Sequence, residues 1–447
     1  MRVLIFSTTT GYQLRSFGDA AEALGVELAF ATDRCKSLDN PWQDHAVPVR
    51  FYDEEGSLAR LREAAAERPV NGVVVVGDRA VRLAACAAEM LGLPGNPPDA
   101  AWASANKKAS RERFAAAGLP VPWFVELPEH DNDDVLAQVR FPCVVKPLGL
   151  SGSRGVIRAN DRAELDAAIA RVRALLARKD IRTMRTGLDQ TMLIEGYIDG
   201  AEFAIEGVLT AGRFQPFAIF DKPDPLDGPF FEETIYVTPS SLSAAEQRDV
   251  IAHVERAARA LGLTHGSIHA ECRVARDGIY VLEVAARPIG GLCSRVLRFE
   301  RRGDGEAEAS PYDVIRRATL QGRHHGEAKA SLYASLEEVL LRHAVGEDVT
   351  PFAREAQAAA VMMIPIPKRG ILKRVEGTDA ARAVPGIEDV RITAKPDQLL
   401  EPLPEAGSYL GFIFARAATP GEGVAALRAA HGALRFVIDV PIPIVSA

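Results

Sequence analysis

Along the first hundred residues, short apolar runs alternate with stretches whose apolar positions recur every three or four residues. Val3–Phe6 reads as a strand, Ser16–Leu24 as a helix closed by Gly25 in a left-handed cap, and Val26–Ala31 as the next strand. Gly72–Gly77 encloses four consecutive valines, apolar on both faces as a buried parallel strand is, and Arg79–Leu91 follows as a helix stopped by Gly92 and Pro94. Strands alternating with helices imply a parallel sheet. No G-x-G-x-x-G follows the first strand, so a dinucleotide site has little support there.

From Asn106 the pattern changes. Lys108–Ala117 reads as a helix, Phe141–Pro147 as a strand entering the loop Gly149–Gly155, and Val156–Arg158 as the returning strand. Asp161 and Glu164 have capping-box spacing before a long helix, as do Ser243 and Glu246 before Ser243–Leu261. Met192–Ile198 and Ala201–Thr210 read as strands joined in a hairpin at Asp199-Gly200, followed by a turn at Ala211-Gly212. Lys222–Pro229 reads as a rigid polar loop with no core to bury. Gly303–Glu308 reads as an exposed loop, and Ser310 and Pro311 as the start of a helix. Residues 357 to 440 return to strands and a helix, and no internal repeat is evident.

Composition narrows the class. The 447 residues are 47% hydrophobic and 25% charged, a globular balance with a prior of about three domains. A net charge of -7 gives no support to a nucleic-acid surface. Five scattered cysteines (Cys35, Cys86, Cys143, Cys272, Cys293) without a C-x-x-C pair read as a reduced cytoplasmic protein, not a disulfide framework or zinc site. No apolar run approaches the ~18 residues of a membrane helix, and no signal-peptide core opens the chain.

The sharpest chemical feature is a predicted hairpin, Ser267–Val274 with Ile279–Ala285, around a three-residue turn at Arg276-Asp277-Gly278. Pairing Ala275 with Ile279 sets Glu271 opposite Glu283 and His269 opposite Ala285, and puts Arg287 on the Glu283 face. Like charges directly opposite on paired strands destabilise the ladder, and a hard divalent cation between them removes the repulsion. The competing reading is an ordinary hairpin with both acids solvated; its apolar neighbours Ile268, Val281, Leu282 and Val284 weigh against that. Cys272, beside the acid pair, is expected on the opposite face as core.

Two further stretches carry chemistry. In Gly149–Gly155, glycine and serine let backbone N–H groups converge on anionic oxygens, and Lys146 in the preceding apolar strand supplies a charge that is costly to bury unpaired. The alternative is a flexible loop with a snorkelling lysine. Around Glu195-Gly196-Tyr197-Ile198, a glycine breaks an apolar strand and Glu202 follows, a hinge that offers backbone groups to a base edge and a carboxylate to sugar hydroxyls. A surface hairpin with solvated acids is the alternative.

The order of these features is more specific than any one of them. Asn106-Lys107, Val144-Val-Lys146-Pro147, Ser151-Gly152-Ser153-Arg154-Gly155, Glu195-Gly-Tyr-Ile198, His269-Ala-Glu271 and Glu283-Val-Ala-Ala-Arg287-Pro-Ile-Gly290-Gly291 together resemble the ATP-grasp superfamily over about residues 1 to 325. The tail, around Ala359–Pro365 and Gly407–Ala415, looks like the C-terminal domain of the dipeptide-forming L-amino-acid ligases. The resemblance implies an α/β and α+β chain. Its parts are an N-terminal parallel-sheet domain at 1–105, a small lobe with a glycine-loop lid at 106–190, a large lobe with the metal site at 191–325, and an α+β C-terminal subdomain at 326–447.

It further implies that Lys107 and Lys146 touch ATP phosphates under a loop of Ser151, Gly152, Ser153 and Gly155. The backbone around Glu195, Tyr197 and Ile198 would meet adenine and Glu202 the ribose. Glu271, Glu283 and Glu233 would hold Mg²⁺, with Mn²⁺ as a substitute. Arg287 would stabilise the transferring phosphoryl group, and His269, Gly290 and Gly291 would lie beside the bound amino acid. The activity implied is an ATP-dependent ligation of a small carboxylate and an amine through an acyl phosphate, in a cytoplasmic homodimer with no nucleic-acid or membrane partner. The glycine loop and the 222–229 loop are the lid candidates. One departure stands out: the family usually has Asn two residues after the second metal glutamate, where this chain has Ala285. A bicarbonate-activating carboxylase and a nucleotide-binding protein with little turnover remain as alternatives.

Overall fold

A computed structural model describes residues 1–8, 11–33, 46–128, 133–188, 191–302 and 333–439. Cys35, the Gly303–Glu308 loop and the helix expected to start at Ser310 lie outside the described residues.

The N-terminal pattern folds as its periodicity predicts. Strands β1 (Arg2–Ser7), β2 (Glu27–Thr32), β3 (Val47–Pro48) and β4 (Gly72–Val76) form a parallel sheet in the order β3-β2-β1-β4. The helix between β1 and β2, Gly11–Leu24, ends at Gly25 with a φ of 64°, the left-handed cap that a Cβ would disfavour. The open carboxyl ends of β1 and β4 place Thr8 and Asp78 at a crevice, where ligands bind in such sheets.

A second, antiparallel sheet in the order β5-β8-β6-β7 comprises β5 (Phe124–Leu127), β6 (Cys143–Pro147), β7 (Ile157–Ala159) and β8 (Met192–Gly196). It is covered by the helix Arg162–Leu176, whose Leu165, Ile169 and Val172 are buried against it. Asp161 caps that helix, but the second half of the expected box moves one residue: Glu164 accepts from the N–H of Asn160, not Asp161. The box at Ser243 and Glu246 forms in both directions.

The third sheet is the largest. It takes β9 (Ala201–Thr210), β10 (Arg213–Asp221), β11 (Ile235–Thr238), β12 (Gly266–Ala275) and β13 (Gly278–Ala285), and extends through 358–364, 411–417 and 387–392. The C-terminal strands thus continue the sheet that carries β9 to β13. One apolar core joins Phe17 and Leu24 of the first helix to Val208, Phe220 and Tyr236 of this sheet and to Val361 and Phe412. No helix among the described residues is long and apolar enough to cross a membrane.

Two expectations are corrected. Asp199-Gly200 does not close a hairpin: β8 pairs with β5 and β6, whereas β9 pairs with β10 and β12 in the other sheet. The segment between them crosses from one sheet to the next, and Gly200 (φ 131°) passes so close to β12 that a Cβ would lie 2.4 Å from the Val274 carbonyl oxygen. Lys222–Pro229 also has a buried side: Leu226 packs with Val144 and Phe231, and Lys222 points inward.

Candidate functional site

The β12–β13 hairpin is the best-defined sequence expectation. Glu271 faces Glu283 and His269 faces Ala285, as anticipated, but by a different route. Ala275 pairs with Gly278, so the turn is only Arg276-Asp277, and an irregularity between Glu271 and Cys272 restores the expected offset at the acids. Cys272 is fully buried on the core face.

These strands wall a cleft of about 500 Å³ lying between the second and third sheets, closed at one end by Thr8 and Asp78. That is the ordinary size of a small-molecule site. Lys107, Lys146, Ser151, Gly152, Ser153, Glu195, Tyr197, Ile198, Glu202, Glu233, His269, Glu271, Glu283, Arg287, Gly290 and Gly291 all line it. Gly155 does not: its N–H donates to the carbonyl of Pro404 at 2.9 Å, and a Cβ there would strike Pro147 and Leu175. Its glycine serves the packing of the loop, not an anion.

On the small-sheet side, Lys146 ion-pairs with Glu195, which also takes a two-pronged contact from Arg111 (2.8 and 3.2 Å). Burial opposes the Glu195 charge, but Arg111 and Lys146 hold its carboxyl down at about 2. Burial, with Arg111 and Lys107 nearby, keeps the Lys146 ammonium below its usual value. Arg111 had not been singled out; its only sequence signal is its position one helical turn after Lys107 in Lys107–Ala116. The Glu195 side chain is therefore the counter-ion of Arg111 and Lys146. Lys107 donates to the Leu150 carbonyl at 2.6 Å and so holds the base of the glycine loop. Gly152 and Ser153 adopt positive φ (63° and 55°), and a Cβ on Gly152 would meet open space. Next to them Val144, Val156 and Leu282 make an apolar slot with Tyr197, whose ring lies under the Arg158 guanidinium.

On the large-sheet side the unforeseen residue is Lys222. Its ammonium donates to Glu202 (2.7 Å), Glu233 (2.7 Å) and Glu271 (2.9 Å), and its side chain is 2% exposed. One oxygen from each of these three acids lies within 4.8 Å of the others, a group that Glu283 does not join. The acids thus converge, but not in the set expected for the metal: Glu202 replaces Glu283, and an internal ammonium stands among them. Glu202 has its second oxygen on Arg273 (2.9 Å), so both are already engaged. Burial and the neighbouring Glu271 charge push the Glu233 carboxyl up to about 7, whereas Lys222 and His269 hold Glu271 well below the carboxylate range despite its burial. Burial is the larger cause of that rise; the surplus of negative charge is seen in the groups themselves, Glu202, Glu206, Glu233 and Glu271 against Lys222, Arg273 and His269. The all-oxygen donor set with that surplus fits a hard divalent cation. Ala285, buried opposite His269, offers no ligand atom.

His269 sits between two acids, 3.1 Å from Glu206 and 3.7 Å from Glu271. Burial lowers its pKa, but hydrogen bonds to both acids dominate and raise it to about 9, making it an imidazolium at neutral pH. Glu206, fully buried, also accepts from the N–H of Ile289 at 3.1 Å and so fixes the segment that carries Gly290 and Gly291. Arg287 forms a forked pair with Asp78 (2.8 and 3.2 Å). Burial works against the Asp78 charge, yet Arg287 and Lys107 hold it below its usual value. Asp78 was missed, although its place after the buried strand β4 is the sequence signal that points to a ligand crevice.

Residues 139–296 match the family described as ATP-grasp domain, 18–95 the ATP-grasp N-terminal domain, and 362–439 the L-amino acid ligase C-terminal domain 2. The chain is 25% identical over 262 residues to an alanine–anticapsin ligase of Bacillus subtilis (56% of this chain, 54% of that protein). It is 27% identical over 182 residues to a D-alanine–D-alanine ligase of Marinomonas sp. strain MWYL1 (39% and 53%). The match thus spans about half the length of these curated relatives. The crystal structure of an L-amino acid ligase from Bacillus licheniformis superposes with a TM-score of 0.76 at 26% identity, covering 98% of both chains. A phosphoribosylglycinamide synthetase from Anaerococcus prevotii shares the fold at 14% identity, with a TM-score of 0.63.

Proposed function

We propose that this chain, which has the ATP-grasp fold with an L-amino acid ligase C-terminal domain, is an ADP-forming ligase that joins the carboxylate of one amino acid or similar small acid to an amine. The observation that carries the reading is the cleft itself, with Lys107, Lys146 and Arg287 converging from three elements on a space faced by Glu233, Glu271 and Glu283.

A carboxylate is a poor electrophile, so its oxygen attacks the γ-phosphate to give an acyl phosphate and ADP; the amine then displaces phosphate. Phosphoryl transfer depends on positioning and charge neutralisation more than on covalent catalysis. The slot of Val144, Val156, Tyr197 and Leu282 receives the adenine. Lys107 and Lys146 lie toward the phosphates, with the amides of Ser151–Ser153 above them. Glu271, with Glu233 beside it and Glu283 opposite it on β13, would hold Mg²⁺, Glu283 joining the set only as the ion draws it in; such an ion would neutralise phosphate charge. Arg287 is presented to the transferring group by Asp78, as a fixed cation in a dry site. The glycine loop, packed against the 404–407 segment, excludes water that would hydrolyse the acyl phosphate. The active species is a cytoplasmic homodimer.

The test is ADP release from MgATP with pooled amino acids. Release that requires two substrates supports the ligase. Release with bicarbonate alone supports a carboxylase, and tight ATP binding without ADP supports a binding protein. Glu283→Gln should abolish Mg²⁺-dependent ADP formation in a folded protein, and unchanged turnover would place the metal elsewhere. Lys146→Ala should raise the dissociation constant for ATP at least tenfold; normal affinity counts against its phosphate role.

A further inference from the structure

Beyond the polar groups that face nucleotide, the cleft has a second wall of a different character. Tyr236, Cys293, Met363 and Phe412 line it and at the same time belong to the main apolar core, with Tyr409 packed against them. Met363 and Phe412 are direct cross-strand partners. Phe412 stacks on Phe414 at 6.3 Å between centroids and tilts against Tyr409 at 6.5 Å, so its ring is held in place. The carboxylates that reach this wall already have partners: Glu233 takes Lys222 and the Tyr236 hydroxyl (2.8 Å), and Glu271 takes Lys222 and the same hydroxyl (3.4 Å).

The wall adjoins the glycine pair. A Cβ built on Gly291 would lie 2.9 Å from two ring atoms of Phe412 and 3.9 Å from the Cys293 sulfur, whereas one on Gly290 would meet nothing within 4 Å. Gly291 is thus a seat for the Phe412 ring, and Gly290 opens onto the cavity. Gly290, Phe412, Met363 and Tyr409 line the same cleft, so a molecule resting on Gly290 would have that wall beside it.

We propose that one of the two amino acids joined by this chain carries an uncharged, apolar side chain that seats against Met363, Tyr409 and Phe412, and that Phe412 sets the length accepted. This deepens the ligase reading and rests on it. The physical reason is that a charged side chain entering this wall loses its hydration and meets only Glu233, Glu271 and Lys222, which already pair with one another, whereas a methylene or ring replaces water with apolar contact. Met363 and Phe412 lie in the strands 358–364 and 411–417, and neither element carries Lys107, Lys146 or Arg287, so side-chain preference and ATP binding are separable at Phe412.

The experiment is ADP release by the full chain with MgATP, one partner amino acid fixed and the other varied through apolar, acidic and basic members. Leucine, methionine or phenylalanine should exceed aspartate and lysine at least 100-fold in kcat/KM at one of the two positions. Phe412→Ala should shift the ranking toward larger side chains by at least tenfold, about what one or two methylenes decide in an apolar pocket. Phe412→Leu should move it the same way by less, with the KM for ATP within twofold in both. A charged preference at both positions, or an unchanged ranking in variants that still turn over, overturns the proposal. A chain that releases no ADP with any pair overturns the ligase reading instead. The wall is then decided by calorimetry on the MgADP-loaded protein: leucine binding at least tenfold tighter than aspartate, and weakened by Phe412→Ala, supports it, and any other result overturns it.

Discussion

Replacing Lys222 by Met tests the electrostatic logic of the site directly. The ammonium contacts three carboxylates at 2.7, 2.7 and 2.9 Å from a side chain that is 2% exposed. At an effective dielectric constant of about 20, each contact is worth roughly 6 kcal/mol before desolvation is counted. Most of that is offset by the cost of taking four charges out of water, and removing one partner of a buried set costs about 3–5 kcal/mol net, because the remaining charges stay unpaired. Lys222→Met should therefore lower unfolding free energy by about that amount at pH 7.5, read by urea titration of intrinsic fluorescence without metal. Glu233 already sits at about 7 in the wild type, above its unfolded value of 4.5, so the native state binds the extra proton. A raised carboxyl gives stability that is fully present below the unfolded value and lost as pH rises through the folded one. The variant should consequently regain stability as pH falls from about 7 toward 4.5, more steeply than wild type. Mg²⁺ should restore it as well, by occupying the place of the lost cation. A destabilisation below 1 kcal/mol, or one insensitive to both pH and Mg²⁺, would falsify the account of the three acids as a charge-surplus cage.

The other expectations follow from pairs on the opposite walls. Glu195 is held at about 2 against 4.5 unfolded, a depressed value whose stabilisation is present above pH 4.5 and disappears as pH falls toward 2. It amounts to roughly 3 kcal/mol at about 1.4 kcal/mol per unit, so Glu195→Gln should remove most of the acid-limb loss between those pH values, and an unaltered limb would assign it to other carboxyls. Asp78→Asn weakens the fork that presents Arg287 across 209 residues of sequence. It should reduce kcat about 10- to 100-fold with ATP affinity by calorimetry within twofold; the reverse pattern would make Asp78 part of nucleotide binding.

Much of the scaffold was legible because it depends on neighbours in sequence. Four consecutive valines in Gly72–Val76 made a buried parallel strand, Gly25 had to end a helix, and Ser243 with Glu246 had to open one. The facing of Glu271 and Glu283 was legible for the same reason: a short turn fixes a hairpin's register, even though here a tighter turn and an irregularity compensated each other. The requirement that Lys146 have a partner also came from chemistry alone, since an apolar strand does not bury an unpaired ammonium.

The partners themselves were decided only by the tertiary structure. Glu195 reaches Arg111 over 84 residues, and Lys222 reaches Glu202, Glu233 and Glu271 over 20, 11 and 49. The supposed hairpin at Asp199-Gly200 failed for the same reason: local propensity for a turn is identical whether the next strand folds back or enters another sheet, and β5 and β6 compete for β8 from far away in the chain. Unbroken apolar runs settled which strands are buried on both faces, as in β1, β8 and 358–364, because that burial is a local pattern. Which charges meet inside was settled by how the sheets pack, since a buried ion pair is selected by the geometry of the whole interior and leaves no periodic trace in the sequence.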